Sequence, residues 1–511
     1  MMAGLYTPPS VPEAGRRLGD LLPDAGLSTA QTGIVIHDLV QDSRQATPGS
    51  AFVALPGSGA HGLAHAADAV ARGAVIVLWD EAERAPDPGL PAARVAGLRA
   101  RLPEMASGLF GAWPVTAPVV AVTGTDGKTT VTHLIAAALE SLGRPTGLIG
   151  TLGVGRPGGL CATGHTTPGV AEMHRHLARL AAQGCGAAVL EASSHGLAQG
   201  RLDGVPIRVA VLTRLGSDHL DFHGSHAAYA QAKAGLFRWP GLTATVLNAD
   251  DPLGRRLIEA EPQAGVVRRT YSADGGHADL VAGDVCATPE GIAFTLRAEG
   301  REWSVSSPLF GMFQAGNLLA TLAALHSLGV AWDHAVAAVR ALPGVPGRME
   351  RFSLPGGGLL VVDYAHTEQA LAAVLDALRP HARGRLTVVF GCGGDRDTGK
   401  RPAMGRAAAE RADQVIVTDD NPRHEDPAAI RTAILAGCRG PANCRAIASR
   451  EQAIRTAAAE ARAGDVILVA GKGHETTQQI GDRHHPFSDR AIARELSAGA
   501  PVPPATGRDT R

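Results

Sequence analysis

Seven short apolar runs, at 74–79, 119–123, 187–190, 209–212, 386–390, 414–418 and 466–470, alternate with alanine-rich stretches of helical pattern. A chain so patterned is confined to α/β architecture, with helices crossing over between parallel strands. Open parallel sheets collect ligands beyond the carboxyl ends of their strands. The unusual polar clusters of the sequence sit there, at 191–195, 391–397, 419–423 and 471–475. That placement favours function over loop filler.

At 511 residues the chain is too long for one ordinary domain. Trp-Pro and Ala-Pro pairs end a helical stretch before Pro118, and Leu342-Pro-Gly-Val-Pro-Gly347 separates the helical 317–342 region from a new strand-rich segment. Domains are therefore expected at 1–115, 116–345 and 346–511, with 271–307 a β excursion of the middle one. The proline-bearing tail after 498 is expected to be disordered. There is no internal repeat.

Lys and Arg number 48 against 49 Asp and Glu, a net charge of −1, so no global basic field points to nucleic acid. Cys161, Cys185, Cys286, Cys392, Cys438 and Cys444 lack paired metal-type spacing and fit small buried residues of a reducing compartment. No basic-then-apolar leader opens the chain, and no apolar run reaches membrane-spanning length. The expectation is a soluble cytoplasmic protein, monomeric, with neither a membrane nor a nucleic-acid partner.

The 119–130 segment runs from an apolar strand into Gly124-Thr-Asp-Gly-Lys-Thr-Thr130 and then a helical stretch. It reads as a nucleotide phosphate cradle. Gly124 and Gly127 let the backbone turn and aim N–H groups at phosphate oxygens, Lys128 supplies a point charge, and Thr129 can ligate magnesium. The usual G-x-x-x-x-G-K-[ST] loop would need glycine where this chain has Val122, so the loop is a shortened variant. By itself it leaves motor, kinase, synthetase and switch open.

Further clusters narrow that choice. The phosphate loop, Glu191-Ala-Ser-Ser-His195, Ser217-Asp-His-Leu-Asp-Phe-His-Gly224 and Asp363-Tyr-Ala-His-Thr367 follow one another in an order that resembles the Mur ligases, ATP-dependent amide-forming enzymes of peptidoglycan precursor synthesis. The resemblance covers nearly the whole chain. Asp420-Asn-Pro-Arg423 with Glu425-Asp-Pro427 is most similar to the branch that adds meso-2,6-diaminopimelate to UDP-N-acetylmuramoyl-L-alanyl-D-glutamate. It implies a central P-loop ATPase-like parallel sheet flanked by an N-terminal UDP-binding α/β domain and a C-terminal Rossmann-like α/β domain. The chemistry it implies is transfer of the ATP γ-phosphoryl group to a peptide carboxylate, then attack of an amine on the acyl phosphate.

On that resemblance Gly124, Thr125, Asp126, Gly127, Lys128, Thr129 and Thr130 hold the phosphates, with Asn317 near adenine and Arg348, Asp363 and His366 closing over ATP. The rival reading of Arg348 is an inter-domain ion-pair partner. Asp126 stands where the family commonly has Asn. Thr129, Glu191, His219 and a carbamylated Lys233 would hold magnesium, making Lys128, Glu191, His219 and Lys233 the catalytic set. Glu191, at a strand end, suits a hard oxygen ligand or a helix-capping acid. Without the resemblance Lys233 reads as a snorkelling surface lysine, and His223 as a capping or core residue. The UDP-linked peptide side resembles Ser43, His61 and Gly62 with His165, Thr166, Thr167, Ser193, Gln199 and Arg201, His165 replacing the usual Asn. Polar turns such as 42–44 are also common without any ligand.

The diaminopimelate set is Arg396, Asp420, Asn421, Pro422, Arg423, Gly471 and Glu475: guanidinium groups for the distal carboxylate, with Glu475 and the Gly471 carbonyl for the ammonium. Lysine-adding relatives lack the arginine of this motif. The rivals are a sister ligase adding lysine or another amino acid, a folylpolyglutamate-type synthetase, and a P-loop protein that uses ATP as a conformational switch.

Overall fold

A computed structural model describes residues 15–57, 61–80, 89–216, 218–288, 290–342 and 344–499. Ser217 and the tail from 500 onward lie outside the described residues. Contacts group the chain into two compact units, Met1–Leu280 with Asn317–Ala338, and Val281–Gly316 with Val339–Arg511.

The first unit opens with a parallel sheet ordered Asp38–Val40, Ser50–Ala54, Ile76–Trp79, Ala92–Arg94. Leu39, Val53, Ile76 and Leu78 pack there with Leu102, Met105 and Phe110 of the Leu98–Phe110 helix. A second sheet follows, in which six parallel strands run Thr146–Gly150, Ala187–Glu191, Val119–Thr123, Ile207–Leu212, Ala244–Asn248, Val267–Ser272. Every residue of Val119–Thr123 and Ala187–Glu191 is buried, which is why both read as unbroken apolar runs. From Val119–Thr123 the chain builds the sheet first to one side and then to the other. That strand marks the switch point, where the crevice for a ligand opens.

In the second unit the order is Glu350–Ser353, Leu359–Asp363, Val466–Ala470, Leu386–Phe390, Gln414–Val417, Asn443–Ala446, parallel except for the first strand. The late strand Val466–Ala470 is inserted between two early ones, so a second switch point lies at the ends of Leu359–Asp363, Val466–Ala470 and Leu386–Phe390. The Gly291–Ala298 and Arg301–Ser307 hairpin groups with this unit by its contacts. Phe310 just beyond it stacks on His381 at 3.9 Å and joins the core around Leu371 and Leu375. Among the described residues no helix is long and apolar enough to cross a membrane.

Candidate active site

The turn after Val119–Thr123 needs its glycines. Gly124 and Gly127 have φ of +145 and +84, and a Cβ on Gly124 would lie 1.9 Å from the Thr213 hydroxyl. Thr213 Oγ1 donates to Asp126 O at 2.6 Å, while Thr125 N donates to Arg214 O at 2.5 Å, strapping the turn to the end of the neighbouring strand. Gly127 caps the Lys128–Ser141 helix, whose first N–H groups have no partner within the helix and suit an anion. Lys128 Nζ folds back on the carbonyls of Gly124 (2.9 Å) and Thr125 (2.8 Å). Asn317 Oδ1 lies 2.7 Å from where a Gly127 Cβ would be, so this asparagine abuts the phosphate turn itself.

Glu191 ends the adjacent strand and is 1% exposed. Its Oε2 accepts from the Thr129 and Thr151 hydroxyls, both at 3.0 Å, and Oε1 accepts from Thr151 N at 2.8 Å. A Cβ on Gly150 would lie 2.4 Å from Oε1, so only glycine leaves room for the carboxylate there. A buried carboxylate held by these neutral donors calls for a cation. Magnesium fits: it takes one or two carboxylates, a hydroxyl and substrate phosphate oxygens, keeping water for the rest. No cluster of three or more His, Cys, Asp and Glu side chains is preassembled for a metal among the described residues.

Lys233 is fully buried near the end of the His226–Ala234 helix, which removes the snorkelling reading. Its Nζ donates to Gly124 O at 2.7 Å and lies 4.6 Å from the centre of the Tyr229 ring. Burial, reinforced by the Lys128 charge, pushes its ammonium down to about 6. At neutral pH the group is therefore mainly a free amine, the form that reacts with carbon dioxide. Tyr229 hydrogen-bonds Thr125 Oγ1 at 2.7 Å, and burial pushes its phenol up to about 12.

His219 is half exposed at a left-handed backbone position, φ 52, and heads the short Leu220–His223 helix. Its ring meets His195 edge-on at 4.6 Å, and His195 packs on Phe222 at 4.2 Å. Desolvation and the neighbouring His219 and His223 hold His195 below the usual imidazole range. His223 packs against Tyr229 at 5.3 Å.

The segment expected to meet the UDP-linked peptide is built around Thr167, whose hydroxyl donates to Glu191 O at 2.8 Å and accepts from Ser193 N at 3.0 Å. Arg201 donates to Thr167 O and Gln199 Oε1, each at 2.8 Å, and Thr166 pairs with Thr151 at 3.0 Å. Ser193 Oγ caps the Ser194–Ala198 helix, while His165 stays exposed. In the N-terminal sheet the three sequence-picked residues have local tasks. His61 Nδ1 accepts from Leu63 N at 3.1 Å, Ser43 is buried, and a Cβ on Gly62 would press within 2.8 Å of the Ala54 Cα.

At the second switch point Asp363 is buried and accepts from Met349 N and Ala365 N, each at 2.8 Å. Burial raises its carboxyl against the opposing pull of Arg348. The Arg348 guanidinium lies 4.3 Å over the Tyr364 ring, with Nε buried and without a hydrogen-bond partner. His366 is exposed, its Nδ1 2.8 Å from Tyr364 O. His474 packs on Tyr364 at 5.2 Å, and burial followed by Arg348 pushes it down to about 4.

Arg423 adopts φ 51, a left-handed conformation that costs a residue with a side chain about 1–2 kcal/mol. Arg423 N donates to Gln479 O at 3.2 Å, Gly481 N to Arg423 O at 2.7 Å, and Arg423 Nη1 to Gly394 O at 2.5 Å. The loop is thereby pinned between the Thr477–Ile480 strand and the turn that carries the exposed Arg396. Asn421 Nδ2 donates to Glu475 Oε2 at 3.0 Å, and Pro422 is buried. Asp420 Oδ2 faces Arg450 Nη1 at 3.9 Å and lies 2.7 Å from where a Gly471 Cβ would be. The residues expected to meet diaminopimelate thus lie together at one switch point.

Sequence reading gave no role to several residues of these sites, among them Thr151, Gly150, Tyr364 and Lys472. Tyr364 and Lys472 stood inside quoted motifs without a role, and the burial of Lys472 was the missing signal.

Three family profiles match the chain in order: Mur ligase family, catalytic domain, at 35–113; Mur ligase middle domain, at 122–325; and Mur ligase, glutamate ligase domain, at 347–473. The chain belongs to the Mur ligase family. It is 49% identical over 474 residues to the UDP-N-acetylmuramoyl-L-alanyl-D-glutamate–2,6-diaminopimelate ligase of Alkalilimnicola ehrlichii, covering 90% of this chain and 95% of that one. It is 45% identical to the ligase of the same name from Pseudomonas aeruginosa, covering 93% and 98%. A solved structure of a ligase so named superposes with a TM-score of 0.68 at 36% identity, covering 95% and 99%. The MurF ligase of Thermotoga maritima, solved in complex with ADP, shares the fold at a TM-score of 0.59 and 21% identity, covering 91% and 96%.

Proposed function

We propose that this chain joins meso-2,6-diaminopimelate to UDP-N-acetylmuramoyl-L-alanyl-D-glutamate in peptidoglycan precursor synthesis, driven by ATP. The observation that carries the reading is the Asn421, Arg423 and Glu475 cluster at the switch point of one sheet, in a chain that carries the phosphate turn and Glu191 on another. The names of its relatives point the same way.

In this reading 1–115 holds the UDP end through Ser43, His61 and Gly62, 116–345 binds ATP, and 346–511 selects the amino acid. Lys128 leaves the Gly124 and Thr125 carbonyls for the outer phosphates, joined by N–H groups of 124–130. His165, Thr166, Thr167, Ser193, Gln199 and Arg201 orient the peptide so that a carboxylate oxygen attacks the γ-phosphorus as the bond to ADP breaks. The diaminopimelate amine then attacks the acyl carbon, and phosphate leaves. Glu191 and Thr129, with His219 and a carbamylated Lys233, would hold magnesium, which would supply positive charge against the phosphates. Arg348, Asp363 and His366 close over the nucleotide. The enzyme works as a cytoplasmic monomer.

Phosphate release across candidate amino acids, with ATP and the UDP-linked dipeptide, tests this. Release that depends on all three substrates and is strongest with meso-diaminopimelate is expected. Preference for lysine would move the chain to a sister activity, and release with ATP alone would favour a switch protein.

Arg423 supplies a further prediction. Losing a charge-assisted contact to the distal carboxylate is expected to cost about 2–4 kcal/mol, so Arg423→Ala should lower kcat/KM for diaminopimelate by about 30- to 800-fold. KM values for ATP and the UDP-dipeptide should hardly move. Equal losses for every substrate would make Arg423 a structural loop charge.

A further inference from the structure

Lys472 follows the Val466–Ala470 strand and Gly471, and it is 0% exposed. Its Nζ donates to Glu475 Oε2 at 2.6 Å and to Asn421 Oδ1 at 3.0 Å. Asn421 Nδ2 donates to the same Glu475 oxygen at 3.0 Å, closing a triangle across 51 residues of sequence. Gln479 N adds a second donor to Asn421 Oδ1 at 2.9 Å.

We propose that Lys472 is a positioning residue of the amino-acid site, setting which atoms of Asn421 and Glu475 remain for the ligand; this rests on the functional reading above. An amide can present either its oxygen or its nitrogen. Lys472 and Gln479 N are both donors, so the Asn421 oxygen must face them and the NH2 group must face Glu475. One hydrogen of that NH2 is used on Glu475, and the other is left for a ligand carboxylate. On Glu475 both contacts fall on Oε2, so Oε1 keeps its lone pairs for a ligand ammonium, and the side chain is 32% exposed. The carboxylate faces the ammonium already ordered, with no rotamer left to freeze.

Packing alone does not need the charge. A methionine has nearly the same length, and uncharged replacements of buried ion pairs are often neutral or stabilising when both partners are replaced. What methionine cannot supply is a donor: Asn421 and Glu475 would lose their common anchor, and Glu475 would be free to swing. Around bound metals, residues that orient the ligating side chains are typically worth 10- to 100-fold in affinity, and an effect of the same order is expected here.

The test is steady-state kinetics of Lys472→Met, Glu475→Gln and the double variant on all three substrates, with thermal melts. Lys472→Met is expected to raise KM for diaminopimelate by about 10- to 100-fold, with KM for ATP and the UDP-dipeptide within about threefold of wild type. In the Glu475→Gln background the same change should cost less than about threefold, because the carboxylate it orients is gone. Lys472→Arg keeps the charge and should recover part of the loss, and it provides the same readout should Lys472→Met fail to fold. An unchanged diaminopimelate KM, equal losses for all substrates, or fully additive effects would overturn the proposal. A wild-type enzyme that does not use diaminopimelate at all would instead overturn the functional reading.

Discussion

Glu191→Ala and Lys128→Ala are each expected to lower ligation by at least about three orders of magnitude while leaving a folded protein. Phosphoryl transfer asks little covalent chemistry of the protein and much electrostatics, because charge must be held on the phosphates as the carboxylate approaches. Lys128 is the cation at the mouth of the turn, and it donates to the carbonyls of Gly124 and Thr125 within its own loop. Glu191 is the buried anion beside that turn, and its loss frees the hydroxyls of Thr129 and Thr151 and Thr151 N. A few unmade hydrogen bonds cost about 1–3 kcal/mol each, against stabilities of about 5–15 kcal/mol, so a marginal but folded variant is expected. Circular dichroism with ATP-dependent phosphate release checks both halves. Turnover within about tenfold of wild type in either variant would remove the nucleotide-site assignment.

The parts of the fold that were legible in the sequence share one physical cause. Val119–Thr123, Leu386–Phe390 and Val466–Ala470 match the apolar runs 119–123, 386–390 and 466–470 to the residue. They are buried on both faces, so hydrophobicity alone marks them. Thr146–Gly150 was missed because threonine and two glycines carry little strand signal. One of those glycines exists for a neighbour: Gly150 makes room for Glu191, a requirement that no local pattern shows.

The candidate site divides in the same way. The shape of the Gly124–Thr130 turn is legible because its glycines, lysine and threonine are contiguous. Lys472 was illegible because its burial depends on Asn421 and Glu475, one of them 51 residues away. A lysine between two glycines reads as a surface charge until both partners are in place. Lys233 lies between these cases. Small and apolar residues flank it in sequence, but its contact with Gly124 O spans 109 residues, and only the fold settles that it is enclosed.

Lys233 should therefore show opposite effects on activity and stability. Lys233→Ala is expected to lose at least about three orders of magnitude in rate, because the carboxylate-like carbamate that helps hold the metal cannot form. Short-chain carboxylic acids in excess should restore part of it by occupying the vacated space. Stability should move the other way. The folded amine titrates near 6 against 10.5 in the ordinary case, so between these values the unfolded chain binds a proton that the folded chain does not. Stability then rises with pH through that window, and at pH 7 the folded state carries a penalty of about 2–5 kcal/mol, at about 1.4 kcal/mol per pH unit. Lys233→Met keeps the packing and removes the titration. In carbon-dioxide-free buffer it should be more stable than wild type at pH 7 by about 1–3 kcal/mol, the lost hydrogen bond to Gly124 O offsetting part of the gain. Its stability should also vary less between pH 7 and about 10. Denaturant unfolding at several pH values, beside rates with and without added acid, separates the two effects. A wild-type rate in unsupplemented Lys233→Ala would refute the carbamate, and parallel pH profiles for wild type and Lys233→Met would show that the buried lysine keeps its charge.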